Sequence, residues 1–251
     1  MSTMASAAAS SRSAWPRNAR FALYYAPPRE SAWWRAGCAW LGRDAETGDT
    51  LAPPSLAGLD RPLSELTVAP RRYGWHATLV APFCLADGAT PDALLDAALR
   101  WAAARPRLSA KVEAATINHF VALRPADAES DAALRELATD GLRSLAPLRE
   151  KPSDADLARR LAAPLTARQR ELLTEWGYPY VFEEFRFHMT LSDSLDDARE
   201  RALLVDAWNT RMQPPGALPV DGAALYVEAE PGAPFVLWRR LPFGAAEEAR
   251  A

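Results

Sequence analysis

Cysteine is nearly absent. The 251 residues contain two, Cys38 and Cys84. Two thiols are too few for a disulfide framework, and a reduced compartment is the simple expectation. Both lie in apolar surroundings, which predicts packing rather than reactivity. Histidine is almost as scarce, with three in the chain. Surplus positive charge is also missing: 29 Lys and Arg face 32 Asp and Glu, a net charge of −3. A general nucleic-acid binder usually carries a basic face, so long nucleic acid is not an expected partner. A local basic pocket is compatible with this balance. No apolar run approaches the roughly 20 residues of a membrane helix, so no membrane partner is expected. Residues 1–19 lack acidic side chains and have no apolar signal-peptide core. They read as a disordered tail, and 243–251 as a second one. The expected location is cytoplasmic.

What is present fits an ordinary globular protein: 49% hydrophobic and 24% charged residues. The length suits one large domain or a two-lobed one. Arg20 to Tyr25 reads as a strand stopped by Pro27-Pro28. Ser31 can cap a helix from Ala32 to Leu41, ended by Gly42. Residues 43–70 read as loop, with one helical turn at 62–66. Thr90-Pro91-Asp92 opens a helix: Thr caps, Pro takes the first position, and Asp favours the positive end. Residues 111–117 and 119–123 read as paired strands turning at Asn118. A second helix covers 127–146. Residues 147–177 carry two short helical patterns and read as a helical linker. Asp196 can cap a further helix, and 219–228 and 235–241 read as strands.

One pattern occurs twice. Gly74-Trp75-His76-Ala77-Thr78-Leu79-Val80 and Phe185-Arg186-Phe187-His188-Met189-Thr190-Leu191 each hold His-x-Thr-Leu in an apolar run. Each run reads as a strand, from about Tyr73 to Ala81 and from Val181 to Leu191. Residues two apart in a strand share a face, so each His stands beside its Thr. Helix, strand and strand follow both motifs. The expected fold is therefore α+β with pseudo-twofold symmetry. It has an N-terminal lobe at 20–146, the linker at 147–177 and a C-terminal lobe at 178–242. Antiparallel sheets carry helices outside and share a central cleft.

Two imidazoles across a cleft make an acid and base couple near neutral pH. Two hydroxyls beside them suit the oxygens of a phosphate. His76, Thr78, His188 and Thr190 are the candidate catalytic residues, for in-line attack on a phosphodiester with no cofactor and no metal. Arg72 and Tyr73 precede the first motif. Arg186, two residues before His188, is expected on its face. These three are the candidate substrate contacts, because arginine pairs strongly with phosphate. His119 has no Thr two residues on and is expected to be structural or exposed. A zinc site using all three histidines would leave both threonines idle.

The paired motifs resemble the 2H phosphoesterase superfamily. More narrowly, Arg72-Tyr73-Gly74-Trp75-His76-Ala77-Thr78-Leu79-Val80-Ala81-Pro82-Phe83 and Glu184 to Leu191 resemble its DUF1045-like branch, associated with phosphonate operons. The resemblance spans about residues 20–242. It implies a two-lobed fold and metal-independent cleavage of cyclic or 2′,5′ phosphodiesters. It makes the two histidines acid and base, with His188 activating water and His76 protonating the leaving alkoxide. The implied substrate is a small phosphate ester, such as 5-phosphoribosyl 1,2-cyclic phosphate. RNA-end chemistry on 2′,3′-cyclic phosphates and a non-enzymatic phosphate-binding role are the alternatives. Relatives often carry Lys where this chain has Val80. A monomer is the default expectation for assembly.

Overall fold

The computed structural model describes residues 15–244. The tail expected at 1–19 lies outside them up to residue 14. Residues 15–19 are built into the fold: the Trp15 ring meets Trp238 edge-on at 6.3 Å, and Ala19 is buried. At the other end Phe243 is buried as well, so it belongs to the core.

Local signals set most of the helices. Helix α1 (Ala32–Leu41) starts where the Ser31 side chain accepts from the Trp34 N–H, and stops at Gly42 in the left-handed region. Helix α2 (Val68–Tyr73) follows. Its first three residues fall in the stretch expected as loop. Thr67, at its N-cap, makes no side-chain cap. The Val68 and Ala69 N–H groups instead donate to the Asp193 carboxylate at 2.9 and 2.8 Å. A cap supplied from so far along the chain leaves no local signature. Helix α3 (Pro91–Ala103) has Thr90 as its cap, and α4 (Ala128–Leu145) has Asp127. The linker forms α5 (Asp154–Leu161) and α6 (Ala167–Trp176), the latter with a capping box. Helix α7 (Ala198–Ala207) is capped by Asp197, one residue after the expected Asp196.

Seven strands form one antiparallel sheet. They are β1 (Arg20–Tyr25), β2 (Ala77–Phe83), β4 (Val112–Ile117), β5 (Phe120–Pro125), β6 (Met189–Thr190), β8 (Gly222–Glu228) and β9 (Val236–Pro242). Their order is β4-β5-β6-β2-β1-β8-β9. Strands β3 (Leu108–Ala110) and β7 (Leu218–Val220) pair separately. Helix α4 packs against β2 and β5, α3 against β8 and β9, and α7 against β4 and β5.

The two halves exchange strands. The hairpin after the first motif, β4-β5, pairs with β6 of the second. The hairpin after the second motif, β8-β9, pairs with β1 beside the first. The sheet therefore does not divide at the sequence boundaries of 20–146 and 178–242. Strand β6 is two residues long, and β5 and β2 on its two sides satisfy its backbone. The long second strand expected over 181–191 is otherwise a 3-10 turn (Phe182–Glu184) and irregular chain. Likewise the first is shorter than expected, because Tyr73 closes helix α2 and β2 begins at Ala77.

Candidate active site

The two motif strands are neighbours. Ala77 pairs with Met189 in an antiparallel register. One residue further each way, that register sets His76 opposite Thr190 and Thr78 opposite His188. Ala77 and Met189 are fully buried, while the four motif side chains face the other way. Cβ atoms of such directly opposed residues lie about 4.5–5.5 Å apart. All four line one cleft of about 520 Å³.

Both histidines are held in the same manner. The His76 Nδ1 lies 2.8 Å from the Gly74 carbonyl, and the His188 Nδ1 lies 2.9 Å from the Arg186 carbonyl. A carbonyl can only accept, so each Nδ1 carries the proton and donates it. In the neutral ring Nε2 is then the bare atom, free for chemistry. For His76 it stands 3.4 Å from the Thr78 hydroxyl. Gly74 is required here for its backbone. Its φ is +79°, and a Cβ there would fall 2.4 Å from the Ala45 Cβ.

His76 is the more desolvated ring. Tyr24 stacks on it at 3.9 Å, with Tyr73 and Tyr226 about 6 Å away. Burial, with a smaller push from His188, lowers its pKa from 6.5 to about 4, against the Gly74 bond that acts to raise it. A ring held neutral at pH 7 suits a base.

The expected substrate contacts separate. Tyr73 lines the cleft, stacked on Phe235 at 5.1 Å. Arg72 does not line it. Its guanidinium is bound to the buried carboxylate of Glu228 and to the Ala233 carbonyl. Arg186 does not line it either. Its Nη1 folds back onto the Glu183 and Phe185 carbonyls at 2.7 and 2.8 Å. The expectation for Arg186 assumed strand alternation, and residues 185–188 are not strand. Val80 is also out of reach. Between Thr78 and Phe83 strand β2 gains an extra residue twice against β1. The bulges bring Ala81 and Pro82 to the cleft and leave Val80 1% exposed in the core.

Three other arginines line the cleft: Arg20, Arg149 and Arg160. Sequence reasoning passed over them because no motif surrounds them. Glu228 binds Arg20 as well as Arg72 and is fully buried. Glu228→Gln removes the charge that both guanidinium groups need. Because each arginine is about one third exposed and can rehydrate, the expected loss is about 3 kcal/mol, the low end for breaking a buried pair. Urea unfolding would measure it. His119 is exposed, with Asp196 3.9 Å away, and takes no part in the cleft. Among the described residues no three His, Cys, Asp or Glu side chains converge as a metal site would require. Cys38 is buried and Cys84 partly exposed, and burial raises both thiols above their ordinary range. No described helix is long and apolar enough to cross a membrane.

The family described as protein of unknown function (DUF1045) matches residues 78–236. Ribose 1,5-bisphosphate phosphokinase PhnN of Laribacter hongkongensis (strain HLHK9) is 44% identical over 231 residues, 88% of this chain and 51% of the relative. The protein of the same name from Janthinobacterium sp. (strain Marseille) is 37% identical over 239 residues, 91% and 52%. The chain thus spans about half the length of these curated relatives. Among solved structures, a phosphoesterase aligns with a TM-score of 0.42 and 15% identity, covering 90% of this chain and 98% of its own. Escherichia coli LigT in apo form aligns at 0.40 and 14%, covering 90% and 97%.

Proposed function

The chain belongs to the family described as protein of unknown function (DUF1045), and we propose that it is a 2H-type cyclic phosphodiesterase working through its own side chains. The observation that carries this reading is the Ala77–Met189 register, which sets two His-Thr pairs on one face of adjacent strands. The neutral His76 Nε2 takes a proton from water. The water oxygen bonds to phosphorus from one side, and the ester oxygen departs on the other. His188 supplies the proton to that oxygen. The Thr78 and Thr190 hydroxyls donate to the non-bridging oxygens, whose charge grows in the transition state.

The substrate of this reading is a small phosphorylated sugar or nucleotide, with 5-phosphoribosyl 1,2-cyclic phosphate foremost. Water attack that breaks the bond between phosphorus and O2 leaves the phosphate on O1. The product is ribose 1,5-bisphosphate, the compound in the relatives' printed name. Those relatives are named as kinases. This chain has no Gly-x4-Gly-Lys-Ser/Thr loop of the phosphate-cradling type. A half that makes the bisphosphate, joined to a half that phosphorylates it, is the arrangement this chemistry supports.

Three substrates test the reading in excess chelator: ribosyl 1,2-cyclic phosphates, nucleoside 2′,3′-cyclic phosphates and an RNA with a cyclic end. Turnover of the ribosyl compounds is expected, at rates the chelator does not change. Preferred turnover of the RNA end would move the protein to RNA processing. No turnover by folded protein would favour a phosphate-binding role.

The acid side of the pH profile tests the base. His76 must be unprotonated to act, and its pKa is lowered to about 4. With ribose 1,2-cyclic phosphate, which has no monoester to titrate, the loss of kcat/KM from protonating the base should not begin until below about pH 5. Its midpoint should lie near 4. A midpoint near 6.5 would reject His76 as the base. Stability follows the same group. Between pH 6.5 and 4 the unfolded chain binds a proton that the folded site refuses. This contribution is complete above pH 6.5 and is lost as the pH falls toward 4.

A further inference from the structure

The cleft has a second chemical character, separate from the His-Thr pairs. Its lining includes three arginines and no aspartate or glutamate, although acidic residues outnumber basic ones in the chain. Arg20 is balanced by Glu228. Arg149 and Arg160 are not balanced. Their guanidinium groups bond to backbone carbonyls, Arg149 to Trp176 at 3.0 Å and Arg160 to Gly177. Among the described residues neither has a carboxylate within ion-pair distance. The Arg149 Nε is buried with no partner at all. A desolvated charge without a counter-charge is costly, and an anion bound beside it would offset that cost.

Resting on the phosphodiesterase reading, we propose that Arg149 and Arg160 form a second anion subsite. It holds a phosphate remote from the reacting one and so selects doubly phosphorylated small molecules. The placement of Arg149 separates the two phosphates. Leu85 and Arg149 form a β-bridge, and the Glu150 N–H donates to the Cys84 carbonyl at 2.8 Å. The Arg149 guanidinium lies 5.6 Å from the Phe83 ring. These contacts tie it to the end of β2 away from His76. Thr78 and Phe83 pair with Tyr24 and Phe21, three residues apart on β1, so they lie about 10 Å apart along the sheet. An arginine side chain reaches back over part of that length and leaves room for a sugar. Tyr178 and Tyr180 line the same cleft. Burial lowers the Arg149 pKa from its ordinary value, in keeping with a charge that lacks a partner.

Binding and turnover give separate readouts. Ribose 5-phosphate carries the remote phosphate and nothing to hydrolyse. By titration calorimetry on the full chain, it should bind wild type and His188→Ala alike. Arg160→Ala and Arg149→Gln should each weaken it about 10–100-fold, the worth of a charged hydrogen bond. In kinetics, Arg160→Ala should raise KM for 5-phosphoribosyl 1,2-cyclic phosphate by a similar factor with kcat within about threefold. The analogue lacking the 5-phosphate should be unaffected. Arg160 is exposed, so its loss leaves the fold intact, and a thermal melt confirms this. Unchanged ribose 5-phosphate binding in both arginine variants would overturn the subsite, as would equal losses on the two cyclic substrates. If the arginines bind ribose 5-phosphate but no cyclic ester opens, the subsite stands and the catalytic reading fails.

Discussion

His76→Ala and His188→Ala are each expected to lower kcat by about 10²–10⁴-fold, the usual worth of a positioned acid or base. The double variant should be little worse than the weaker single one, because the two rings act in one step. Leaving-group chemistry tells them apart. An ester with a nitrophenolate leaving group needs no proton from the enzyme. It should rescue His188→Ala, the variant lacking the acid. His76→Ala still lacks its base and should stay slow. The opposite rescue would restore the division in which His188 activates water. Retained turnover of cyclic esters in both variants would remove the histidines from the chemistry.

The largest expected loss of stability comes from Trp75, the residue before His76. It is fully buried, and its ring lies 5.3 Å from that of Trp208, which meets Trp40 edge-on. Trp75→Ala should cost about 3–5 kcal/mol. Its ring also presses directly on helix α1. A Cβ at Gly37 would fall 2.1 Å from it, a distance no real contact allows. Alanine normally gains about 1 kcal/mol over glycine inside a helix. Gly37→Ala should nevertheless destabilise the protein by about 1–3 kcal/mol, because the indole has no room to move. In the Trp75→Ala background the ring is gone, and the same substitution should become neutral or stabilising. A double-mutant cycle in urea measures that change of sign. If the sign does not change, the contact with Trp75 is not what excludes a side chain at Gly37.

The consequence reaches the site through the backbone. Trp75 anchors the residue that carries His76, and the Tyr226 hydroxyl reaches the Trp75 carbonyl at 3.4 Å. Packing below the sheet and the position of His76 above it are therefore set by consecutive residues that point to opposite faces.

Short-range chemistry was legible in the chain. The caps at Ser31, Thr90, Asp127 and Thr166 act within three residues, and the stops at Gly42 and Gly177 within four. The His-x-Thr spacing fixes each motif's shared face through local geometry alone. Tyr73 was found beside the motif, although it reaches the cleft from a helix end rather than from a strand. Helix α2 was missed because its cap, Asp193, follows the other motif. Arg72 and Arg186 were expected at the phosphate, and nearby partners hold both of them elsewhere.

The sequence by itself thus determined every described α-helix but α2, and the two motifs and their chemical type, because those depend on residues a few positions apart. Tertiary structure decided which strands pair, which arginines face the cleft and how strongly His76 is desolvated. Strand exchange joins segments far apart in the chain, and β6 is too short to announce itself by alternation. Arg20, Arg149 and Arg160 line one cleft only when strand β1, the turn after helix α4 and linker helix α5 meet. The low pKa of His76 comes from Tyr24 and the burial around it, and desolvation is a property of the assembled core.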